Sequence, residues 1–239
     1  VATSKNIQKV LAIVSKSSEE QDVVVVVSAF GKTTNALIKG ATLAAQKNED
    51  YLEVLKELEN NHFNIIKELL PVKEQSSVNG YVKQLFNHLE TIYEGCFLLR
   101  ELSPKTLAKV SSFGELLSSY IISQAANESF KAVYKDTREL IVASDNYNNA
   151  LVDFSATFKN CQEYFSSRSQ KVTIVPGFVA RTINGKTTTL GRGGSDFTAA
   201  IISAALDCSE LQIWTDVSGM FTANPSIVKE ASVIDHISY

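Results

Sequence analysis

The run TTTLGRGGSDFTAA, residues Thr187–Ala200, sets Gly191, Gly193 and Gly194 around Arg192 and ahead of Ser195, Asp196 and a helix-forming tract. Glycines at a helix start leave free N–H groups facing outward, and the helix dipole favours an anion there. Arg192 adds a planar, forked donor suited to a carboxylate or a phosphate. The chemistry on offer is therefore the holding of an anion. A plain turn in which Ser195 or Asp196 caps the helix is the competing reading, but it requires neither Arg192 nor three glycines. Glu115, in SSFGELLSS, is a carboxylate flanked by Gly114, Ser118 and Ser119 on a tract otherwise rich in leucine and isoleucine. Those small neighbours would let a ligand come close, whereas a lone helical glutamate is ordinarily a solvated face residue. Both readings stay open on pattern alone.

These residues need elements to position them. DVVVVVSAF, residues 22–30, is β-branched through five consecutive valines and reads as a strand buried on both faces, the kind found in helix-covered parallel sheets. Before it, Ile7, Val10, Leu11 and Val14 recur at helical spacing, with Ser4 as a candidate cap. After it, GKTTNALIKGATLAAQ passes from polar loop to helix. Leu52, Leu55, Leu58, Ile65, Ile66 and Leu69 share a helical face that stops at Pro71. A second helix runs from Tyr81 to Cys96, and a third starts at Ser103-Pro104, where proline suits the first turn. The first two form an inserted helical hairpin, about residues 48–102. Strand-helix alternation then resumes with FKAVY, the helix DFSATFKNCQEYFSSRS, KVTIVPGFVA, an Asn184-Gly185 hairpin, the helix TAAIISAAL and the strand LQIWTD. That rhythm predicts an α/β domain, a three-layer αβα sandwich with a mostly parallel sheet.

Bulk properties exclude several function classes. A net charge of −3 argues against a nucleic-acid footprint, which needs a basic stripe. No window approaches the roughly 20 apolar residues of a membrane span. Cys96, Cys161 and Cys208 are odd in number and widely spaced, which argues against a disulfide scaffold or zinc site and suits the reducing cytoplasm. GRGGSD fails the GxGxxG spacing, and no GxxxxGK[ST] occurs, so a Rossmann dehydrogenase and a Walker-type ATPase are disfavoured. In open parallel sheets ligands bind beyond the carboxyl ends of the strands. The segments there are SAFGKTTN, PGFVA, LGRGGSD and TDVSGMFTANPS, all rich in small or hydroxyl residues.

Four of these motifs, in order, resemble the catalytic domain of the aspartate kinase family, with the amino acid kinase (carbamate kinase-like) fold. They are VVVVVSAFGKTTN, FGELLSS, TTTLGRGGSDFTAA and WTDVSGMFTANP, and together they extend over nearly the whole chain. The resemblance implies γ-phosphoryl transfer from Mg²⁺-ATP to the β-carboxylate of L-aspartate, the first step toward lysine, threonine and methionine. It implies that Arg192 grips a carboxylate of aspartate and Glu115 pairs with its ammonium, with Thr34, Gly177, Phe178 and Ser195 shaping the pocket. Asp196 would organise the transferring group. Ser28, Ala29, Gly31, Gly193 and Gly194 would face the phosphates, and Thr215, Asp216 and Phe221 would border the nucleoside. A homo-oligomer is expected of the whole protein, with no nucleic-acid or membrane partner.

Three departures qualify the match. The family's K-F-G-G-T-S segment, with its principal lysine, and its S-F-G-A-K-V segment do not occur in these 239 residues, and Ser226 stands where the family has arginine. Residues 1–239 are accordingly expected to be a catalytic domain truncated at both ends, without an ACT domain and of low activity. Lys32 reads as a solvated loop charge, not a replacement. The rival readings are a kinase for glutamate or N-acetylglutamate and a non-catalytic binding module that keeps the fold.

Overall fold

In the computed structural model, which describes residues 3–147, 149–215 and 219–237, the valine run becomes β1 (Val23–Val27). It follows α1 (Ser4–Glu20) and precedes α2 (Thr33–Ala45). The hairpin is α3 (Tyr51–Leu69) and α4 (Val72–Leu99), split at Pro71, and α5 spans Pro104–Ala126. There follow β2 (Ala132–Tyr134), a 3-10 turn over Thr137–Glu139, β3 (Val142–Ala143), α6 (Phe154–Ser167) and β4 (Val172–Pro176). The hairpin β5 (Val179–Thr182) and β6 (Thr187–Thr189) and the helix α7 (Gly194–Leu206) complete the set. Asn184-Gly185 lies in that hairpin's turn, with Gly185 at φ 73°.

Local signals explain most boundaries. Ser103 caps α5 by accepting from Thr106 N–H at 3.2 Å, with Pro104 in the first turn. Asp153 caps α6 through Ala156 N–H at 3.0 Å. At α1 the cap is Thr3, not Ser4, because Thr3 Oγ1 accepts from Asn6 N–H and Ser4 is already helical.

The strands form two three-stranded sheets, ordered β1-β4-β2 and β3-β5-β6; only the β5–β6 pair is antiparallel. Side-chain alternation along β1 decides the layering. Val23 and Val25 pack on a core built with α1–α5, while Val24 and Val26 pack on a second core built with α6 and α7. The sheet is thus covered on both faces. Val23–Val26 are nevertheless half-buried and not fully enclosed, because β1 is the edge of its sheet among the described residues. The helical hairpin belongs to the first core, with Leu58, Ile66, Phe86, Leu89 and Tyr93 buried.

Residues 1–208 and 209–239 are two separate compact units. Within the second, Phe221 and Val233 form an isolated antiparallel bridge, and Ile234 N–H donates to Met220 C=O at 2.7 Å. The expected strand at LQIWTD is not formed: residues 211–215 carry no strand, and Leu211, Ile213 and Trp214 are exposed. Its residues have strand propensity, but a strand exists only as a hydrogen-bonded partner of another, and this one has no ladder among the described residues.

Candidate functional site

α5 is the buried axis of the site. Every residue from Val110 to Ser119 is buried, an environment that tolerates serine only if each hydroxyl finds a carbonyl. Ser112 donates to Lys109 C=O at 2.7 Å, Ser119 to Glu115 C=O at 2.5 Å, and Ser118 to Ser28 C=O at 2.9 Å. The last of these ties α5 to the loop that leaves β1. Gly114 permits that approach, since a Cβ there would lie 2.8 Å from Ala29 Cβ and 3.3 Å from Thr34 Oγ1.

Glu115 is 5% exposed. Burial pushes its carboxyl up to about 7, against the pull of the Ala29 and Glu115 backbone N–H groups. Its Oε2 is buried and has no hydrogen-bond partner among the described residues. A carboxylate in that condition is costly unless a cation reaches it.

The facing wall comes from the glycine-rich run. Gly191 and Gly193 take the left-handed conformation, at φ 80° and 71°, and deliver the chain into α7. No side chain caps α7, so Ser195 and Asp196 sit in its first turn and do not close it; the simple capping reading is set aside. α2 is likewise uncapped at Lys32, which is exposed as expected. Two helix starts without a side-chain cap thus border one cavity.

That cavity, of about 330 Å³, is lined by Ser28, Thr34, Glu115, Phe178, Gly191, Arg192, Gly193, Gly194, Ser195 and Asp196. Nine of the ten carry a role implied by the sequence; Gly191, noted only as a helix-start glycine, is the tenth. Arg192 and Asp196 are exposed, and Arg192 has no ion partner among the described residues. Gly177 stands behind the lining, where a Cβ would lie 2.6 Å from Ser195 Cβ, and Ala29 supports Glu115 from the loop. Gly31, at φ 48°, shapes the same loop without lining the cavity.

Thr215 and half-buried Phe221 belong to the second unit, and Asp216 lies outside the described residues. Ser226 there donates its N–H to Asn224 Oδ1 at 2.9 Å. No sequence signal points to Thr198, a fully buried hydroxyl beneath the lining. Its position in a run of alanines and isoleucines signals only helix.

The model of the amino acid kinase family matches residues 1–239. The chain is 32% identical over 245 residues to a bifunctional aspartokinase/homoserine dehydrogenase of Buchnera aphidicola, covering all of this chain and 30% of that protein. It is 30% identical over 217 residues to the lysine-sensitive aspartokinase 3 of Escherichia coli, 90% of this chain and 47% of that one. Among solved structures, E. coli aspartokinase III in complex with aspartate and ADP superposes with a TM-score of 0.89 at 28% identity, over 98% of this chain and 51% of that one. The chain therefore spans between 30% and 51% of the length of these relatives.

Proposed function

The chain belongs to the amino acid kinase family, and from that premise we propose that the protein containing it transfers the γ-phosphoryl group of ATP to the β-carboxylate of L-aspartate, giving 4-phospho-L-aspartate. One observation carries the reading: the buried Oε2 of Glu115 and the guanidinium of Arg192, neither of them paired among the described residues, share a cavity. An anion and a cation across one small cavity suit the ammonium and carboxylate of an α-amino acid. The aspartokinase III structure, solved with aspartate and ADP, supports the same choice of ligands.

In this reading Glu115 takes the ammonium and Arg192 a carboxylate of the acceptor. Thr34, Phe178 and Ser195 wall the acceptor, with Gly177 behind them. The uncapped starts of α2 and α7 and the backbone of Ser28, Gly31 and Gly193 offer N–H groups to the phosphates, while Ala29 and Gly194, whose own N–H groups are taken by Glu115 and by Gly191 C=O, shape the approach. An acceptor carboxylate oxygen then forms the new bond to the γ-phosphorus while the bond to the leaving ADP oxygen breaks. Such transfer depends on positioning and charge neutralisation more than on covalent chemistry.

Mg²⁺, when bound, neutralises phosphate charge through oxygen ligands. Asp196 is the exposed carboxylate of the cavity, and among the described residues no group of three His, Cys, Asp or Glu could hold a metal. Phosphate oxygens and water would therefore complete such a site. Thr215, Asp216 and Phe221 are proposed as nucleoside neighbours on the strength of the WTDVSGMFTANP motif alone. Residues 1–239 are proposed as the catalytic part of a longer homo-oligomeric protein. A reducing cytoplasm suits the free Cys96, Cys161 and Cys208, and no described helix is long and apolar enough to cross a membrane.

No lysine lines the cavity among the described residues, so these 239 residues alone are expected to turn over slowly. The same observation favours, as second reading, a binding module without catalysis. The test is a hydroxamate assay on the whole protein with L-aspartate, L-glutamate and N-acetyl-L-glutamate. Hydroxamate formed with L-aspartate and ATP is the expected result. Binding of aspartate without any ATP consumption would establish the second reading instead.

A further inference from the structure

Phe178 is the one bulky residue of the cavity wall held at positive φ, 65°. It forms the middle of a three-residue turn between β4 and β5, in which Val179 N–H donates to Gly177 C=O at 2.7 Å. A γ-turn with a positive central φ is the rare, strained form, and a large aromatic residue adopts it only where its surroundings impose it.

Those surroundings are identifiable. The C=O of Phe178 accepts from Leu190 N–H at 2.9 Å. Its N–H donates to Thr198 Oγ1 at 2.9 Å, and the same hydroxyl donates to Gly194 C=O at 2.8 Å. Thr198 is fully buried, so no water can replace it readily. The two surfaces it joins are in close contact: a Cβ on Gly194 would lie 2.6 Å from Phe178 Cδ2 and 3.1 Å from its Cα. One hydroxyl therefore clamps the strained turn to the first turn of α7, from which Gly194, Ser195 and Asp196 reach the cavity.

We propose that Thr198 is a positioning residue of the acceptor pocket: its Oγ1 fixes the spacing between the Phe178 wall and the Arg192–Ser195 wall without touching a ligand itself. The inference rests on the acceptor reading given above. Loss of the hydroxyl leaves Phe178 N–H buried and unpaired, and the turn can then relax away from α7. The acceptor pocket widens on the Phe178 side, while the Ser28–Gly31 loop, held from α5, keeps its place. The start of α7 that faces the phosphates is held independently of Thr198, by Gly194 N–H on Gly191 C=O at 3.1 Å and Phe197 N–H on Gly193 C=O at 3.0 Å, so the effect falls on the acceptor more than on the nucleotide.

The test uses the whole protein carrying Thr198→Val, which keeps the shape and removes both hydrogen bonds, beside Thr198→Ser, which keeps them. Thr198→Val is expected to raise KM for L-aspartate about tenfold, with KM for ATP and kcat each within about threefold of wild type. Thr198→Ser is expected within about twofold throughout. An unchanged aspartate KM in the valine variant, or equal rises in both KM values, overturns the proposal, as does a serine variant that behaves like valine. Should the valine variant not fold, Thr198→Cys, with its weaker donor and acceptor, takes its place under the same criteria. If the wild type saturates with L-glutamate and not L-aspartate, the acceptor assignment falls and the same ratio is read with glutamate. If it saturates with no amino acid, both fall.

Discussion

The two walls of the cavity are built on opposite principles. On the α5 side, Glu115 is 5% exposed, its helix is held by serine-to-carbonyl bonds, and Gly114 lets the β1 loop press onto it. On the other side Arg192 is exposed and reached through glycines at φ 80° and 71°. The buried carboxyl is desolvated in advance, and its Oε2 has no partner among the described residues. The exposed cation keeps its hydration and loses little when alone. A mutation on the first wall should therefore change folding and binding together, whereas one on the second should change binding alone.

The strongest break of that comparison is Glu115→Gln. Removing the charge is expected to weaken acceptor binding roughly 100-fold. It should also alter stability against pH. A carboxyl whose folded pKa is about 7 against an ordinary 4.5 favours the folded state fully below 4.5 and loses that advantage as pH rises through 7. Relative to wild type, the glutamine variant should thus be more stable at pH 8 than at pH 4, by on the order of 3 kcal/mol in urea denaturation. The same titration sharpens the binding claim: an ammonium favours the ionised carboxylate, so wild-type affinity should fall as pH drops below 7. Calorimetry in buffers of different ionisation enthalpy should register proton release in wild type and none in the variant.

Gly114→Ala ranks next. Its Cβ would meet Ala29 Cβ at 2.8 Å, and a Cβ anchored to backbone cannot swing aside, so the loop must move. A loss of about 1–3 kcal/mol in stability is expected, with reduced affinity for both substrates. Thermal denaturation and paired KM measurements check it. Arg192→Lys should have the smallest effect, weakening acceptor binding about tenfold by loss of the forked geometry. Its stability should stay within about 0.5 kcal/mol of wild type, as for an exposed residue without an ion partner among the described residues. A stability loss equal to that of Gly114→Ala would erase the distinction between the walls.

Much of this arrangement was legible in the residues. The valine run announced a strand, Pro71 and Ser103-Pro104 announced helix boundaries, and Asn184-Gly185 announced a hairpin, because each acts through the conformational preference of its own backbone. The glycine run announced the glycine-led start of α7 for the same local reason. The strand expected at LQIWTD fails on the opposite ground, since β propensity is realised only with a partner. The choice of Thr3 over Ser4 as the first cap turned on one hydroxyl reaching Asn6 N–H, a matter of a single residue's geometry.

The residues alone determined the elements, the glycine-led helix start and the residue types available for binding. They left Glu115 open between a solvated face and a ligand contact, and they passed over Thr198. Only the packing of α5 behind the β1 loop set aside the solvated face, by stripping water from the carboxyl and leaving Oε2 without a partner among the described residues. Only the approach of α7 to the β4–β5 turn gave the second a role. Burial and the pairing of distant groups arise from contacts between segments far apart in the chain, and no local preference encodes them.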